Sequence, residues 1–153
     1  MNGCPLYKSM KAIERFRCYG HHNVCGKHPT TFEITMEPAL TPKGDCIIAV
    51  ASEKGASDLS PEFRKIMVIP GARLTTSLRC GGITVTVRSL GSPELTFDHP
   101  SDMVWRRSTF VCGRTVGISS DYVAATLPGE LITTLSGGSV MEVEMVAEVP
   151  DEE

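Results

Sequence analysis

The sequence has no long apolar run, few aromatic residues and none of the common catalytic signatures. No window approaches eighteen uninterrupted apolar residues, so no membrane-spanning helix is predicted. The first residues lack the apolar centre of a signal peptide, which predicts a cytoplasmic protein. One tryptophan, 6% aromatic residues and an isoelectric point of 5.8 argue against nucleic acid as a partner. Phosphate-binding glycine loops, a nucleophile elbow and the His-Glu-x-x-His zinc motif are absent.

The length of 153 residues is that of a single domain, 1–153. We expect an ordered core over about residues 8–149 and a frayed acidic tail at 150–153. Residues 1–30 carry five basic residues and one acidic residue, a net charge of +4. Residues 120–153 carry eight acidic and no basic residues, a net charge of −8. This separation predicts a dipolar surface and not a general binder of polyanions.

Six cysteines, an even number, would fit disulfides in a secreted protein. The chain has no export signal, however, and Cys46 stands in the apolar run Asp45-Cys46-Ile47-Ile48-Ala49-Val50. Thiols inside cells stay reduced and are often buried. We therefore predict six free cysteines.

Most of the chain has the two-residue period of β-strands. Phe32, Ile34 and Met36 alternate with polar residues, and the apolar run that contains Cys46 is typical of a central strand. Two glycines, Gly81-Gly82, separate two further segments and predict a hairpin. The predicted strands lie at about 31–36, 46–50, 73–80, 83–90, 94–97 and 141–148.

Two short helices are predicted among the strands. Ser60-Pro61-Glu62 has the residues of a helix start, and this helix should run to about Met67. Ser119-Ser120-Asp121 predicts the start of the second helix, which is interrupted at Pro128-Gly129 and closed by Gly137-Gly138. The strands do not alternate regularly with helices, so a doubly wound parallel sheet is not expected. The predicted fold is mainly β, an antiparallel sandwich or partly closed barrel with two short helices.

Several motifs follow one another in a recognisable order. They are Gly20-His21-His22-Asn23-Val24, His28-Pro29-Thr30-Thr31, Gly44-Asp45-Cys46-Ile47-Ile48, Asp102-Met103-Val104-Trp105-Arg106-Arg107-Ser108 and Arg114-Thr115-Val116-Gly117-Ile118. Together they resemble the archaeal domain of unknown function 371, over about residues 13–146. The resemblance implies an archaeal source and an antiparallel β-sandwich of jelly-roll type, and it implies no activity. Pro29 stands where the resemblance leads us to expect a basic residue.

Three of the four histidines stand within eight positions, close to two cysteines. Cys18-x2-His21-x3-Cys25-x2-His28 contains four zinc-ligand types, but its middle spacer is short for wrapping around one ion. A site made by His21, His28 and His99 is better supported, with zinc, nickel or iron as the metal and Asp102 or Glu33 completing its shell. In the alternative reading, His21 and His28 bond backbone carbonyl groups and fix a long loop.

The chain also offers groups that suit a small anion. Arg107 and Arg114 provide planar forks for oxyanions, and helix amides near Ser119-Ser120 would add to them. Hydroxyl donors stand at Thr30, Thr31, Ser108 and Thr115. Alternatively, Arg106 and Arg107 face water or pair with the acidic C-terminal strand, while Trp105 packs in the core.

We therefore predict one polar pocket, formed by the histidine loop 20–31 and the segment 107–115, that binds a small anion or a metal. Three classes of function stay open: a ligand-binding module, a small metal-dependent enzyme that uses His21 and His28, and a structural or interaction protein with packing histidines. The sequence identifies no catalytic residue and no oligomeric state. The predicted ligand-binding residues are His21, Asn23, His28, Thr30, Thr31, Arg107, Ser108, Arg114 and Thr115, and the metal ligands would be His21, His28 and His99.

Overall fold

Strands dominate the computed structural model, which describes residues 10–150. The eight strands are β1 Met10–Tyr19, β2 Thr31–Thr35, β3 Ile47–Ala49, β4 Arg73–Cys80, β5 Ile83–Leu90, β6 Asp102–Arg106, β7 Thr115–Gly117 and β8 Val140–Val149. The two α-helices are α1 Pro61–Met67 and α2 Gly129–Ser136. The predicted core residues 8 and 9, the tail residues 151–153 and Cys4 lie outside the described residues. No helix within residues 10–150 is long and apolar enough to cross a membrane.

The strands form two four-stranded sheets. Sheet A has the order β1-β8-β4-β5, and all its neighbours are antiparallel. Sheet B has the order β3-β2-β6-β7, in which β2 and β6 are antiparallel and the two outer pairs are parallel. The prediction of a mainly β, mostly antiparallel fold with two short helices is confirmed. The jelly-roll type stays a prediction, because the parallel pairs of sheet B are not part of a purely antiparallel jelly roll.

The two sheets are joined at both pairs of edges. Tyr19, at the end of β1, exchanges backbone hydrogen bonds of 2.8 and 2.7 Å with Val50, just after β3. Leu90, at the end of β5, exchanges bonds of 2.8 and 3.0 Å with Ile118, just after β7. The segment 46–50 is therefore not a central strand, as we predicted, but an edge strand of sheet B. Its apolar residues are buried because sheet A continues from that edge.

The core fills the space between the sheets. Phe32 and Trp105, on neighbouring strands of sheet B, stack with ring centroids 4.6 Å apart and an interplanar angle of 9°. The Trp105 Nε1 donates to Thr76 Oγ1 of β4 at 3.0 Å, which satisfies the buried indole N–H across the core. Trp105 is fully buried, so its predicted core position is confirmed.

Two local predictions are confirmed because the turn residues determine the backbone locally. Gly81 and Gly82 have φ values of +57° and +81°, which is the backbone of a type I′ hairpin turn, and they join β4 to β5 with the predicted bounds. Ser60 Oγ accepts from the backbone N–H of Phe63 at 3.1 Å and caps α1.

Other local predictions are wrong. Residues 94–97 form no strand, since Phe97 has a φ of +49° and its side chain turns into the core. No helix starts at Ser119, whose φ is +49°. The Ser119 amide donates to the Ser108 carbonyl at 3.1 Å, and the Ser120 amide donates to the Arg106 carbonyl at 2.9 Å. The second helix begins only at Gly129, after a short 3-10 turn, and it ends at Gly137 as expected.

Three strands, β1, β6 and β7, were not predicted. Two residues of β1 depart from the usual pattern of apolar residues inside and polar residues outside, because Ile13 faces water while Glu14 is buried. The Glu14 carboxylate accepts from Lys54 Nζ at 2.5 Å and from the Ser60 amide at 2.7 Å, which offsets the cost of its burial. The described cysteines are free, in agreement with the prediction for this part of the chain: Cys18, Cys25, Cys46, Cys80 and Cys112.

Gly20 allows the end of β1 to pack directly against α2. Its amide donates to the Ser139 carbonyl at 2.8 Å, and a Cβ at this position would overlap the carbonyl oxygen of Leu135. We expect Gly20→Ala to lower the free energy of unfolding by about 3 kcal/mol, as overpacking against rigid backbone does. Gly129→Ala is the matched control, since nothing lies within 4 Å of its added Cβ. Urea unfolding that shows equal stability for the two variants would contradict this packing.

Candidate functional site

The polar residues of β2 lie on a face of sheet B that is covered by loops. The register of β2 and β6 places Thr31, Glu33 and Thr35 on the same face as Asp102 and Arg106. All five residues of β2 are buried, and Glu33 is only 5% exposed. We call this side of the sheet the polar face; it comprises Thr31, Glu33, Thr35, Asp102, Arg106 and Thr115 together with the loop residues His99, Cys112 and Arg114.

A pair of carboxyl groups, Glu33 and Asp102, stands at one end of the polar face. Asp102 accepts from the Thr35 hydroxyl at 2.7 Å. Arg114 uses one atom, Nη1, for both acids, at 3.3 Å from Asp102 Oδ2 and 3.6 Å from Glu33 Oε1. The Nε2 atom of His99 lies 3.8 Å from Asp102 Oδ2. Two acids therefore share the guanidinium of Arg114, and the Arg114 side chain is 42% exposed.

The two acids differ in pKa. Burial raises the pKa of Glu33, the neighbouring charge of Asp102 raises it further, and Arg114 offsets only part of this, so that the pKa reaches about 7. Burial also acts on Asp102, but hydrogen bonds from Thr35 and Glu33 and the nearby His99 lower its pKa below the usual value. Near neutral pH the pair thus shares one proton, which Glu33 carries.

A tight turn at the other end of the polar face holds Cys112. The Thr115 amide donates to the Cys112 carbonyl at 3.0 Å, and the Cys112 amide donates to Thr115 Oγ1 at 3.1 Å. Arg106 donates from Nη2 to Cys112 Sγ at 3.3 Å and from Nε to Thr115 Oγ1 at 2.8 Å. The Cys112 side chain is among the groups that raise the pKa of Arg114, after Glu33 and Asp102, so the thiol and both arginines influence one another.

The thiol of Cys112 differs from the other buried thiols. Its burial raises the pKa, but the Arg114 amide, the Thr115 hydroxyl and the Arg106 guanidinium together lower it more, to about 7. Burial raises the pKa of Cys46 to about 12, helped by the charge of Glu33, and burial also raises those of Cys18 and Cys80. Of these four cysteines, Cys112 is therefore the one that forms a thiolate most readily at neutral pH.

Arg106 forms no salt bridge with a carboxylate in the part of the chain that is described. The alternative for Arg106 and Arg107 was that they face water or pair with the acidic C-terminal strand. Arg107 is exposed, and neither arginine pairs with a described carboxylate of β8. That strand lies in sheet A, where Glu144 and Glu142 are paired with Arg15 and Arg17 at 2.8 and 3.7 Å. Arg106 lies instead over the exposed Phe110 ring, 4.9 Å from its centroid.

Each of three histidines folds its own turn through Nδ1. His21 accepts from the Asn23 amide at 3.1 Å, His28 accepts from the Thr31 amide at 3.2 Å, and His99 accepts from the Asp102 amide at 3.0 Å. The loop-fixing alternative named backbone carbonyls as the partners, whereas the partners are backbone amides. An Nδ1 atom that accepts from an amide has no proton, so the neutral ring carries its proton on Nε2. Neither nitrogen then has a free lone pair for a metal.

The histidine loop is divided between two places. His21 stacks on His22 with centroids 4.3 Å apart, and the Asn23 side-chain amide donates to the Leu40 carbonyl at 2.6 Å. The other half of the loop reaches the polar face, where the Thr31 hydroxyl lies 3.0 Å from His28 Nδ1. Within residues 10–150, no group of three or more His, Cys, Asp or Glu side chains is placed to hold a metal ion.

The predicted ligand-binding residues are only partly brought together. His28, Thr31, Arg114 and Thr115 lie on or beside the polar face, whereas His21 and Asn23 lie near Leu40. Thr30 joins the two segments, because its carbonyl accepts from the Arg107 amide at 2.9 Å. Arg107 and Ser108 are exposed at the margin.

Sequence reasoning named Glu33 and Asp102 only as metal ligands, and it missed Cys112 and the role of Arg106. The alternating polar residues Thr31, Glu33 and Thr35 were visible in the sequence and predicted the polar face of a strand, but nothing local indicated that this face is buried.

Two cavities of about 310 and 580 Å³ lie against the outer face of sheet A, away from the polar face. The first is lined by Arg15, Arg17, Glu142 and Glu144, which form the two ion pairs described above. The second is lined by both basic and acidic residues, among them Arg73, Arg88 and Glu148. Neither cavity is lined by a residue of the polar face.

Comparison with known proteins gives two matches. A family model described as a domain of unknown function (DUF371) matches residues 16–148. An uncharacterized protein of Methanocaldococcus jannaschii is 34% identical over 127 residues, which cover 83% of this chain and 93% of that protein. Both matches include every residue of the polar face.

The raised pKa of Glu33 predicts how stability depends on pH. A carboxyl group whose pKa rises from 4.5 to about 7 on folding stabilises the fold below its ordinary pKa, and this contribution is lost as pH rises through 7. Glu33→Gln keeps a hydrogen-bond donor and removes the charge, so we expect it to be more stable than the wild type at pH 8, by about 1–3 kcal/mol. Urea unfolding at pH 5, 7 and 8 measures this, with the exposed Glu37→Gln as control. Parallel pH curves for wild type and Glu33→Gln would contradict the prediction.

The lowered pKa of Cys112 predicts selective reactivity. Under native conditions we expect iodoacetamide to modify Cys112 before Cys18, Cys46 and Cys80, at a rate that rises between pH 6 and 8 as the thiolate forms. Arg106→Ala should slow the reaction at pH 6.5, because it removes a cation that favours the thiolate. Peptide mapping by mass spectrometry identifies the modified residue and follows Cys4 separately. Earlier modification of Cys46 would show that this assignment is wrong.

Proposed function

This chain belongs to the family described as a domain of unknown function (DUF371), and we propose that it binds a small molecule carrying a carboxylate or phosphate group on the polar face of sheet B. The proposal rests on one observation: Arg106, which forms no salt bridge with a described carboxylate, donates to Cys112 Sγ at 3.3 Å in the turn that also carries Arg114. Two guanidinium groups on one face of the sheet create a region that favours negative charge.

The chemistry of the surrounding groups supports an oxyanion at this position. Arg106 is held by Thr115 Oγ1 and by Cys112 Sγ, so its fork loses little conformational freedom when a ligand binds. Arg107 adds positive charge at the margin, where its amide joins it to Thr30. The Phe110 ring beside Arg106 is 59% exposed and offers an apolar surface for the remainder of a small molecule.

The other two classes of function are less well supported. A metal-dependent enzyme that uses His21 and His28 would need a free nitrogen on each ring, whereas both Nδ1 atoms accept from backbone amides. A purely structural protein would account for the histidines but not for the buried pair Glu33 and Asp102. Burying two acids side by side costs stability, and such costs are concentrated at functional sites.

Anion binding through Arg106 is testable with inorganic phosphate and citrate. At a concentration one hundred times the dissociation constant, we expect the anion to stabilise the wild type by about 2.7 kcal/mol. Arg106→Ala should weaken binding roughly 10- to 100-fold, the cost of one charge-assisted hydrogen-bonding group. Isothermal titration calorimetry and thermal unfolding at pH 6.5 measure both effects.

Arg15→Ala is the matched control, because Arg15 lies on the outer face of sheet A with a side chain that is 68% exposed. It should bind like the wild type. Arg106→Lys keeps the charge without the planar fork and should give intermediate affinity. Equal affinity in Arg15→Ala and Arg106→Ala, or no binding by the wild type, would refute the proposed function.

A further inference from the structure

We propose that the proton on Glu33 controls anion binding on the polar face by deciding whether Arg114 is held by the carboxyl pair or is available to the ligand. This inference rests on the proposed function. It concerns the regulation of that site, and it makes anion binding proton-linked.

The Arg114 guanidinium is shared by the two carboxyl groups of Glu33 and Asp102. A single atom, Nη1, lies 3.3 Å from Asp102 and 3.6 Å from Glu33, so neither acid has the two-pronged contact that fixes an arginine firmly. Cys112, which accepts from Arg106 at 3.3 Å, is two residues from Arg114 and also raises its pKa. Arg114 therefore lies between the carboxyl pair and the anion position.

Asp102 does not need Arg114 when Glu33 carries a proton. Its Oδ1 atom accepts from Thr35 at 2.7 Å and from the Ser101 hydroxyl at 3.2 Å. A protonated Glu33 adds a third donor to this carboxylate. The guanidinium can then turn toward a bound anion without leaving a buried charge unsatisfied.

Loss of the proton reverses this balance. Two adjacent carboxylates then face one guanidinium, and the low exposure of Glu33 strengthens their attraction for it. The other groups that face the pair offer little positive charge. Cys46 donates a weak bond to Glu33 at 3.6 Å, and Asp45 beyond it is acidic. His99 Nε2 lies 3.8 Å from Asp102 Oδ2, farther than Arg114 Nη1, and adds positive charge only when its ring is protonated. Arg114 is therefore the cation that the ionised pair retains.

Cys112 titrates in the same range and acts in the same direction, because its thiolate competes with an anion for Arg106 and Arg114. The test therefore uses Cys112→Ser as the background. Sulfate is the probe, since it keeps one charge state between pH 6 and 8. We expect its affinity for Cys112→Ser to fall about fivefold to tenfold over that range, in line with one coupled titration.

Two double variants separate the roles of the groups. In Cys112→Ser/Glu33→Gln, the neutral amide imitates the protonated acid, so sulfate affinity should be constant and equal to the pH 6 value. In Cys112→Ser/Arg114→Ala, affinity should be low at both pH values. If the Glu33→Gln double variant keeps the full pH dependence, the proposed control by Glu33 is wrong.

A second measurement does not depend on the anion. The Nε–Hε resonance of Arg114 in ligand-free Cys112→Ser, followed by NMR, should shift with a midpoint near the pKa of about 7 assigned to Glu33, and the shift should vanish in Glu33→Gln. An Arg114 signal that does not move would overturn the switch even if sulfate binds. A signal that moves while no variant binds sulfate would instead refute the proposed function, and with it the regulatory role.

Discussion

Burial of the acidic residue Glu33 within a strand is the constraint on which the rest of the polar face depends. A carboxyl group in this position must find hydrogen-bond partners or remain protonated. The neighbouring strand contributes Asp102, and the segments before β3 and β7 contribute Cys46 and Arg114. The arrangement of these groups gives one proton and one cation, Arg114, that the same two carboxyl groups share. Both are properties that a change of pH or a ligand can alter.

The closure of the two sheets determines which residues of sheet B face the core. Sheet B is short, and its edges continue into β1 and β5 through the backbone bridges at Val50 and Ile118. Its inner face is fixed by the stack of Phe32 and Trp105, which leaves the alternate residues of β2 on the opposite side. Loops that connect the strands lie over that side, where Cys46, His99 and Arg114 reach Glu33 or Asp102. A polar face that would be exposed in an open sheet thus lies under loops.

The histidines of the sequence motif stabilise the turns in which they lie. A Gly-His-x-Asn element beside two cysteines suggests metal binding when only residue types are compared. In the folded chain, the rings of His21, His28 and His99 each accept a hydrogen bond from the backbone amide of a residue two or three positions later in the sequence. This is the same role that Asp, Asn and Ser side chains play in turns. The rings determine where the loops run, and the chemistry lies with the groups that those loops carry.

The sequence by itself determined the features that depend on neighbouring residues. The Gly81-Gly82 hairpin, the Ser60 cap of α1 and the alternation in β8 were predictable because turn and cap geometry depends on a few consecutive residues. The mainly β class and the core position of Trp105 also followed from local pattern.

Only the tertiary structure decided the position of β3, the burial of Glu33 and the meeting of Arg106, Cys112 and Arg114. Glu33 and Asp102 are 69 positions apart along the chain. Their shifted pKa values arise from desolvation and charge at close range. Such effects depend on distance in space and not on separation in sequence, so no pattern of residues could specify them before the sheets were paired.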